Sequence, residues 1–523
     1  MKLLLITGRL GEAVLKRVVA SVRTAHSVEI LALPVEVAAL LTPELIYYYL
    51  KELGDELRKY DLIIVPGHVK GSLKEVSKRL GIRVVKGTLH ATDIDRLLEL
   101  DDEELSILSE SVPADDVLAE REFLKCYELL KQRIEKGLPG KAVELGRARV
   151  YPNPPPLTMA AEVVLSSTDD IKKLDSEVQR FAEFGVGIVI VSPIFDPEPG
   201  VMRSILKIFE SHDMTAGIDH PKPSVLKRAV SIGFNLVANV DIEQLAKLGR
   251  DLRDVGVIAV LPMDADVARS ASKLVELSKS FGIEKLVLDP VLTPPIAPGF
   301  INSVDRYRRV REVAPEVPLA ANINNIVEYV DADSTGILGL LIPALAELGV
   351  GLIVAMELSP RSYGLIEEAS TATYMTTCAV LTNRAPSGYT PHLLVAKERK
   401  RIEVELGKAD RVVEARAFQR PRPDPAGLFK IRVVHGDSIE VLHIGRRGRT
   451  LIRGCSAAAI YQEAIKQGLV TTLEHAAYLG QELAKAEEAL RSGKNYVQDE
   501  ELLKRPRGVM RVLLRKFRQY ASL

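Results

Sequence analysis

The sequence predicts an α/β protein with a central TIM (β/α)8 barrel, an N-terminal Rossmann-like domain and a small α+β C-terminal domain. Three observations carry this. Short apolar runs alternate with helical patterns up to Gly67, eight further strand-helix units follow between Met159 and Met356, and after Ala385-Pro-Ser-Gly388 the pattern turns to loops, alternating strands and then helices. The boundaries fall at 1–150, 151–385 and 386–523.

In the first part, the run Leu3 to Ile6 ends at Gly8, a helical stretch covers Glu12 to Val22, and strand patterns recur at Ser27–Leu33 and Asp61–Gly67. Runs of this kind, closed by Gly or Pro, predict a parallel sheet flanked by helices. Ligands of such sheets sit beyond the carboxyl ends of the strands, here Thr7 to Arg9 and Pro66 to Gly71 with His68. Neither G-x-G-x-x-G nor G-x-x-x-x-G-K-[ST] occurs, so plain scaffold is the simpler reading. The charged segment Glu99 to Glu135 reads as a helical connector.

Pro152-Asn-Pro-Pro-Pro156 bars helix and ladder pairing alike and marks the entry to the barrel. The barrel strands are expected at Met159–Leu165, Gly187–Ser192, Thr215–Asp219, Asn235–Val240, Val257–Leu261, Lys285–Asp289, Pro318–Ile323 and Gly351–Met356, a number and spacing that suit the fold. Beyond it, Lys430–Val434 and Ile439–Ile444 alternate as a hairpin around His435-Gly-Asp437, and Ser456–Gln467 and Thr472–Ser492 have helical spacing. Lys504 to Arg518, basic without an acid, reads as a solvated amphipathic terminal helix.

The 523 residues carry 70 basic and 70 acidic side chains, a net charge of zero, which argues against a nucleic-acid partner. Every apolar run is interrupted well short of the roughly 18 residues of a membrane span, and three scattered cysteines without C-x-x-C argue against a disulfide framework or a cysteine metal centre. A reducing cytoplasm is the expected location. Absence of tryptophan, with aliphatic and charged residues dominant, suits a thermophilic source.

A barrel of this kind works at its C-terminal mouth, so polar residues that end apolar strands are the candidates for ligand contact. Four strand ends stand out: Gly217-Ile-Asp219-His220-Pro221-Lys-Pro223, Val237-Ala-Asn239, Val287-Leu-Asp289-Pro290, and Asn322-Ile-Asn-Asn325. Any one of them is explained by helix or turn capping; four at one mouth form an acceptor-rich pocket suited to a flat heterocycle with adjacent N–H donors and a carbonyl, the edge a pterin presents.

These motifs, with Pro298-Gly-Phe300 and Asn325-Ile-Val-Glu-Tyr-Val-Asp-Ala-Asp-Ser-Thr-Gly336, resemble the pterin-binding barrels, a superfamily that includes dihydropteroate synthase and the pterin-dependent corrinoid methyltransferases. The archaeal dihydropteroate synthase-like proteins resemble the chain most, also in its outer domains and in Glu474-His-Ala-Ala-Tyr-Leu-Gly480. The resemblance implies pterin contacts from Asp219, Asn239 and Asp289, with Asn325 replacing the lysine of the synthases' Ser-Arg-Lys motif, as in the methyltransferases. Arg361 and, second, Lys222 are the cations left to hold departing phosphates.

The expected function is therefore a synthase-like transferase of archaeal folate or methanopterin metabolism, with Asn325 and Arg361 catalytic, that joins a pterin-methyl pyrophosphate to an arylamine. The alternatives are methyl transfer between a reduced pterin and a corrinoid, and a non-catalytic pterin carrier or assembly protein. No protein metal site is expected; Mg2+ enters only with a pyrophosphate substrate, and a corrinoid or corrinoid protein only with methyl transfer. His443 and His475 are weak candidates for its axial ligands, being better read as packed residues. Pterin is the expected small-molecule partner and a homodimer the expected assembly.

Overall fold

The computed structural model describes residues 1–263, 266–389, 392–397, 409–415, 423–446 and 448–503, in two compact units, Met1–Val412 and Val413–Leu523. The basic segment Lys504 to Arg518 lies outside the described residues, as do 416–422 of the loop that precedes the expected C-terminal hairpin.

The first unit opens with a parallel sheet of β1 (Lys2–Gly8), β2 (Ser27–Leu33), β3 (Leu62–Val65) and β4 (Val84–Lys86), ordered β2-β1-β3-β4. Successive residues of a strand point to opposite faces, and both faces are covered. Leu3, Leu5, Leu62 and Ile64 pack with Leu15 of α1 (Glu12–Ser21), while Leu4, Ile6, Ile63 and Val65 pack with Ile46 of α2 (Pro43–Leu50) and Val76 of α3 (Lys74–Leu80). Burial on both sides is why these strands read as unbroken apolar runs. A 22-residue helix, α4 (Ala114–Glu135), and a hairpin, β5 (Val143–Leu145) and β6 (Ala148–Val150), follow.

Eight parallel strands then close into a barrel: β7 (Thr158–Leu165), β8 (Ile188–Pro193), β9 (Thr215–Asp219), β10 (Leu236–Val240), β11 (Gly256–Val260), β12 (Leu286–Asp289), β13 (Leu319–Asn322) and β14 (Val350–Ala355). Closure runs through β14 and β7, from Leu352 opposite Thr158 to Ala355 opposite Ala161. Outward residues such as Val189, Ile218, Val237 and Leu288 meet the helical ring, including Phe209 of α5 (Pro199–Ser211), Tyr307 of α6 (Phe300–Val313) and Leu338 of α7 (Ser334–Glu347). Inward residues Ala160, Ile190, Ala238, Ile258, Val287, Ala320 and Leu352 fill the interior together with Leu145, Ala148 and Val150 of the hairpin, which plugs the N-terminal end. Thr215 holds the plug: its hydroxyl donates to the Leu145 carbonyl at 2.8 Å and accepts from the Arg147 and Ala148 amides. No described helix is long and apolar enough to cross a membrane.

The cysteine reading needs one correction. Cys126 of α4 and Cys378 of α8 (Leu365–Thr382), 252 residues apart in sequence, form a buried disulfide with Cα atoms 5.5 Å apart, while Cys455 stays free. Only the folded path brings the two together, so spacing along the chain carried no sign of the bond. Phe123 stacks on Tyr374 beside it. A bond closing so long a loop is expected to contribute roughly 2–5 kcal/mol. Denaturant unfolding of the double variant Cys126→Ala, Cys378→Ala should show that loss; an unchanged midpoint would contradict it.

The second unit is an antiparallel sheet, β15 (Leu428–Val434), β16 (Ser438–Gly445) and β17 (Gly448–Gly454), with helices α9 (Ala457–Lys466) and α10 (Leu473–Ser492). Strand β17 escapes sequence reading because, of its seven residues, only Ile452 is buried. The imidazoles of His443 and His475 are buried against Phe429, with ring centroids 4.9 and 5.7 Å from it.

Candidate functional site

The polar residues of the barrel mouth follow from strand periodicity. Ala160, Ile190, Val287 and Ala320 are interior residues, so two positions further on Glu162, Ser192, Asp289 and Asn322 point inward at the carboxyl end. Gly217 also faces the interior, since a Cβ there would press on Ile190 and Leu236, and its partner two residues on is Asp219. Asn239 reaches the same rim by another route. Its φ of 54° and the register shift between Val237 and Val240 form a bulge, a conformation that asparagine tolerates and that turns its side chain toward Asp219.

Two hydrogen-bonded groups stand out. On one side the Asn239 amide donates to Asp219 Oδ2 at 2.7 Å, and the Ser192 hydroxyl donates to Glu162 Oε1 at 2.7 Å. On the other, Asp289 Oδ1 accepts the Val291 amide at 2.8 Å and faces the Tyr307 hydroxyl at 3.0 Å, which also lies 2.9 Å from the Ala320 carbonyl. Val291 is held at φ 68°, a strained conformation for a β-branched residue, by that bond to Asp289. Arg306 ties the adjoining loops, donating to the carbonyls of Pro290 at 2.8 Å and Pro262 at 2.9 Å. Each of the three carboxyls thus has one oxygen held, and none of the bonds described engages Asp289 Oδ2, Asp219 Oδ1 or Glu162 Oε2.

Burial raises all three acids. It pushes Asp289 up to about 6 against the opposing pull of the Val291 amide and Tyr307, and Glu162 up to about 7, with the Asp219 charge adding to the rise. Asp219 is raised as well, also by burial. Burial lifts the Tyr307 phenol far above its ordinary value, so it serves as a neutral donor.

The remaining candidates lie around the rim. Asn325 is half-buried on the helical turn Asn324–Val327, and no described residue bonds its side chain. Its neighbour Asn324 instead bridges to Met356, just past the end of β14, bonding both its amide and its carbonyl. Arg361 donates to the Glu328 carbonyl at 3.0 Å and pairs with Asp331 at 2.6 Å, and Lys222 lies 3.7 Å from Asp196. Asp333 holds the N-cap position of α7 without a capping hydrogen bond. Among the described residues no three His, Cys, Asp or Glu side chains stand together as a metal site.

Sequence reading missed Glu162, Ser192 and Tyr307. The signal for Glu162 was a single acid inside Met159-Ala-Ala-Glu-Val-Val-Leu165, in phase with the interior residue Ala160; Tyr307 left none, because its partner Asp289 belongs to another element.

Comparison with known proteins adds kinship. The uncharacterized protein MJ0107 of Methanocaldococcus jannaschii is 30% identical over 530 residues, spanning 96% of this chain and 99% of that protein. The chain belongs to that protein's family. Residues 423–499, in the C-terminal unit, match a model described as PterinBD-DUF4346. Residues 1–89 match a family of unknown function, DUF6513. Solved structures similar to this family member include the 7,8-dihydropteroate synthase of Vibrio fischeri ES114 (13% identity, TM-score 0.37, 46% of this chain and 98% of that one) and the dihydropteroate synthase of Yersinia pestis (13%, 0.36, 46% and 98%).

Proposed function

We propose that the barrel mouth binds the hydrogen-bonding edge of a pterin, and that the protein is a dihydropteroate synthase-like transferase acting on it. The observation that carries the reading is the arrangement of half-occupied carboxyls: Asp289 and Asp219 are each fixed through one oxygen and offer the other to a ligand N–H, while Asn239 supplies both a donor and an acceptor. Rigid acceptors of this kind orient a ring without rearrangement.

In the condensation, the C–O bond of a pterin-methyl pyrophosphate breaks, pyrophosphate leaves, the arylamine nitrogen bonds to the methylene carbon, and the amine proton passes to water. The leaving group needs a cation. Arg361 supports this step, because its bond to the Glu328 carbonyl holds a guanidinium beside the seventh-strand segment, which itself has none. Its pairing with Asp331 is exposed and correspondingly weak, so a polyanion competes for it readily. Mg2+ would arrive with the pyrophosphate.

A second reading, methyl transfer from a reduced pterin to a corrinoid, is favoured by Asn325, whose side chain no described residue bonds, leaving it available to a ring nitrogen. The test is turnover. Pyrophosphate release from pterin-methyl pyrophosphate and 4-aminobenzoate is expected, with Arg361→Gln raising KM for the pyrophosphate substrate at least tenfold. Pterin binding without pyrophosphate release, alongside a pterin-dependent change in a corrinoid spectrum, would replace the first reading by the second.

A further inference from the structure

We propose that Glu162 and Asp219 hold one proton between them, and that Glu162, as the neutral partner, donates its hydroxyl hydrogen to an acceptor of the bound ligand, a ring nitrogen or carbonyl oxygen. This rests on reading the mouth as a heterocycle site and adds a donor beside the acceptors of Asp219 and Asp289.

Strands β7 and β9 flank β8, and their inward side chains Glu162 and Asp219 face the mouth on either side of Ser192. Among the described residues, no lysine or arginine forms an ion pair with either carboxyl. The groups facing Glu162 are Ser192 from β8 and Asp219 from β9; β14, on its other side, presents Val354. Those facing Asp219 are Glu162, Asn239 and His220. The His220 ring is fixed by the loop, its Nδ1 accepting the Lys222 amide at 3.1 Å and its Nε2 lying 3.2 Å from the Phe195 carbonyl, and it favours the charged form of Asp219.

Two carboxyls in one desolvated mouth without a lysine or arginine partner do not both ionise easily. The Asn239 amide favours the charged form of Asp219, which leaves the proton on Glu162, the more deeply buried acid, whose Oε1 the Ser192 hydroxyl already occupies. Its second oxygen then carries the hydrogen toward the ligand. Burial and the Asp219 charge raise Glu162 to about 7, so the donor persists to neutral pH.

Calorimetric titration of the full chain with 6-hydroxymethylpterin between about pH 6 and pH 8 tests this. Wild type is expected to weaken toward tenfold per pH unit above neutrality, as loss of one proton requires, whereas Glu162→Gln, with a permanent N–H donor, keeps a nearly constant Kd. Parallel pH profiles, or loss of binding by Glu162→Gln at pH 6, would overturn the shared proton. If wild type binds no pterin at any pH, the pterin reading fails, and infrared titration judges the proton separately. A protonated-carboxyl band at pH 6 that is weaker in Glu162→Gln, with only the Asp289 share left, supports it, while identical bands in the two proteins overturn it.

Discussion

Replacement of Asp289 by alanine is expected to abolish calorimetrically measurable pterin binding while leaving the protein folded. Asp289 is buried and holds Oδ1 against the Val291 amide and the Tyr307 hydroxyl, so the ligand is offered a fixed, preoriented Oδ2. A hydrogen bond to a charged group contributes about 1.5–3 kcal/mol, and a carboxylate facing two ring donors supplies more than one, so affinity should fall by a factor of 100 or more. The fold tolerates the change because Tyr307 still has the Ala320 carbonyl within 2.9 Å. Asp289→Asn should also bind weakly, since its amide hydrogens confront the donors of the ligand. Retained affinity in both variants would remove Asp289 from the site.

Between about pH 8 and pH 5 the ligand-free protein is expected to become more stable. An acid that ionises at higher pH in the folded than in the unfolded chain binds its proton more tightly when folded, so protonation favours the native state and stability rises as pH falls through the folded value. Glu162 moves from 4.5 to about 7 and Asp289 from 3.8 to about 6, each on the order of 3 kcal/mol of pH-dependent stability, present in full below the unfolded values near 4 and lost above the folded ones. Glu29 acts in the opposite sense: held down to about 2 by Lys2, Tyr60 and Lys59, it loses its contribution only in stronger acid, outside this window. Urea midpoints across the range should rise toward pH 5 in wild type and rise less steeply in Glu162→Gln, where Asp289 alone remains. A wild-type midpoint that is flat, or that falls toward pH 5, would contradict the burial of these acids.

The alternation of apolar runs made the barrel and the N-terminal sheet legible, because strands buried on both faces advertise themselves and each barrel strand lies close to its expected position. Asp219, Asn239 and Asp289 were visible as polar breaks at strand ends, and the structure carries them to one mouth. What stayed hidden depends on three-dimensional neighbours. Glu162 lies within a strand, and only the in-phase packing of Ala160 shows that it points inward. Tyr307 meets Asp289 across the gap between a helix and a strand, and Cys126 meets Cys378 across 252 residues. Arg361 was selected for its charge, but its fixed position comes from Glu328 and Asp331, whose pairing leaves no mark in the sequence.

The most direct measurement is a crystal structure of the full chain with 6-hydroxymethylpterin. The ring should lie inside the barrel mouth, with its N–H groups about 2.7–3.2 Å from Asp289 Oδ2 and Asp219 Oδ1 and with Asn239 in contact. A pterin seated away from Asp219, Asn239 and Asp289, with those side chains unchanged around an empty mouth, would contradict the account.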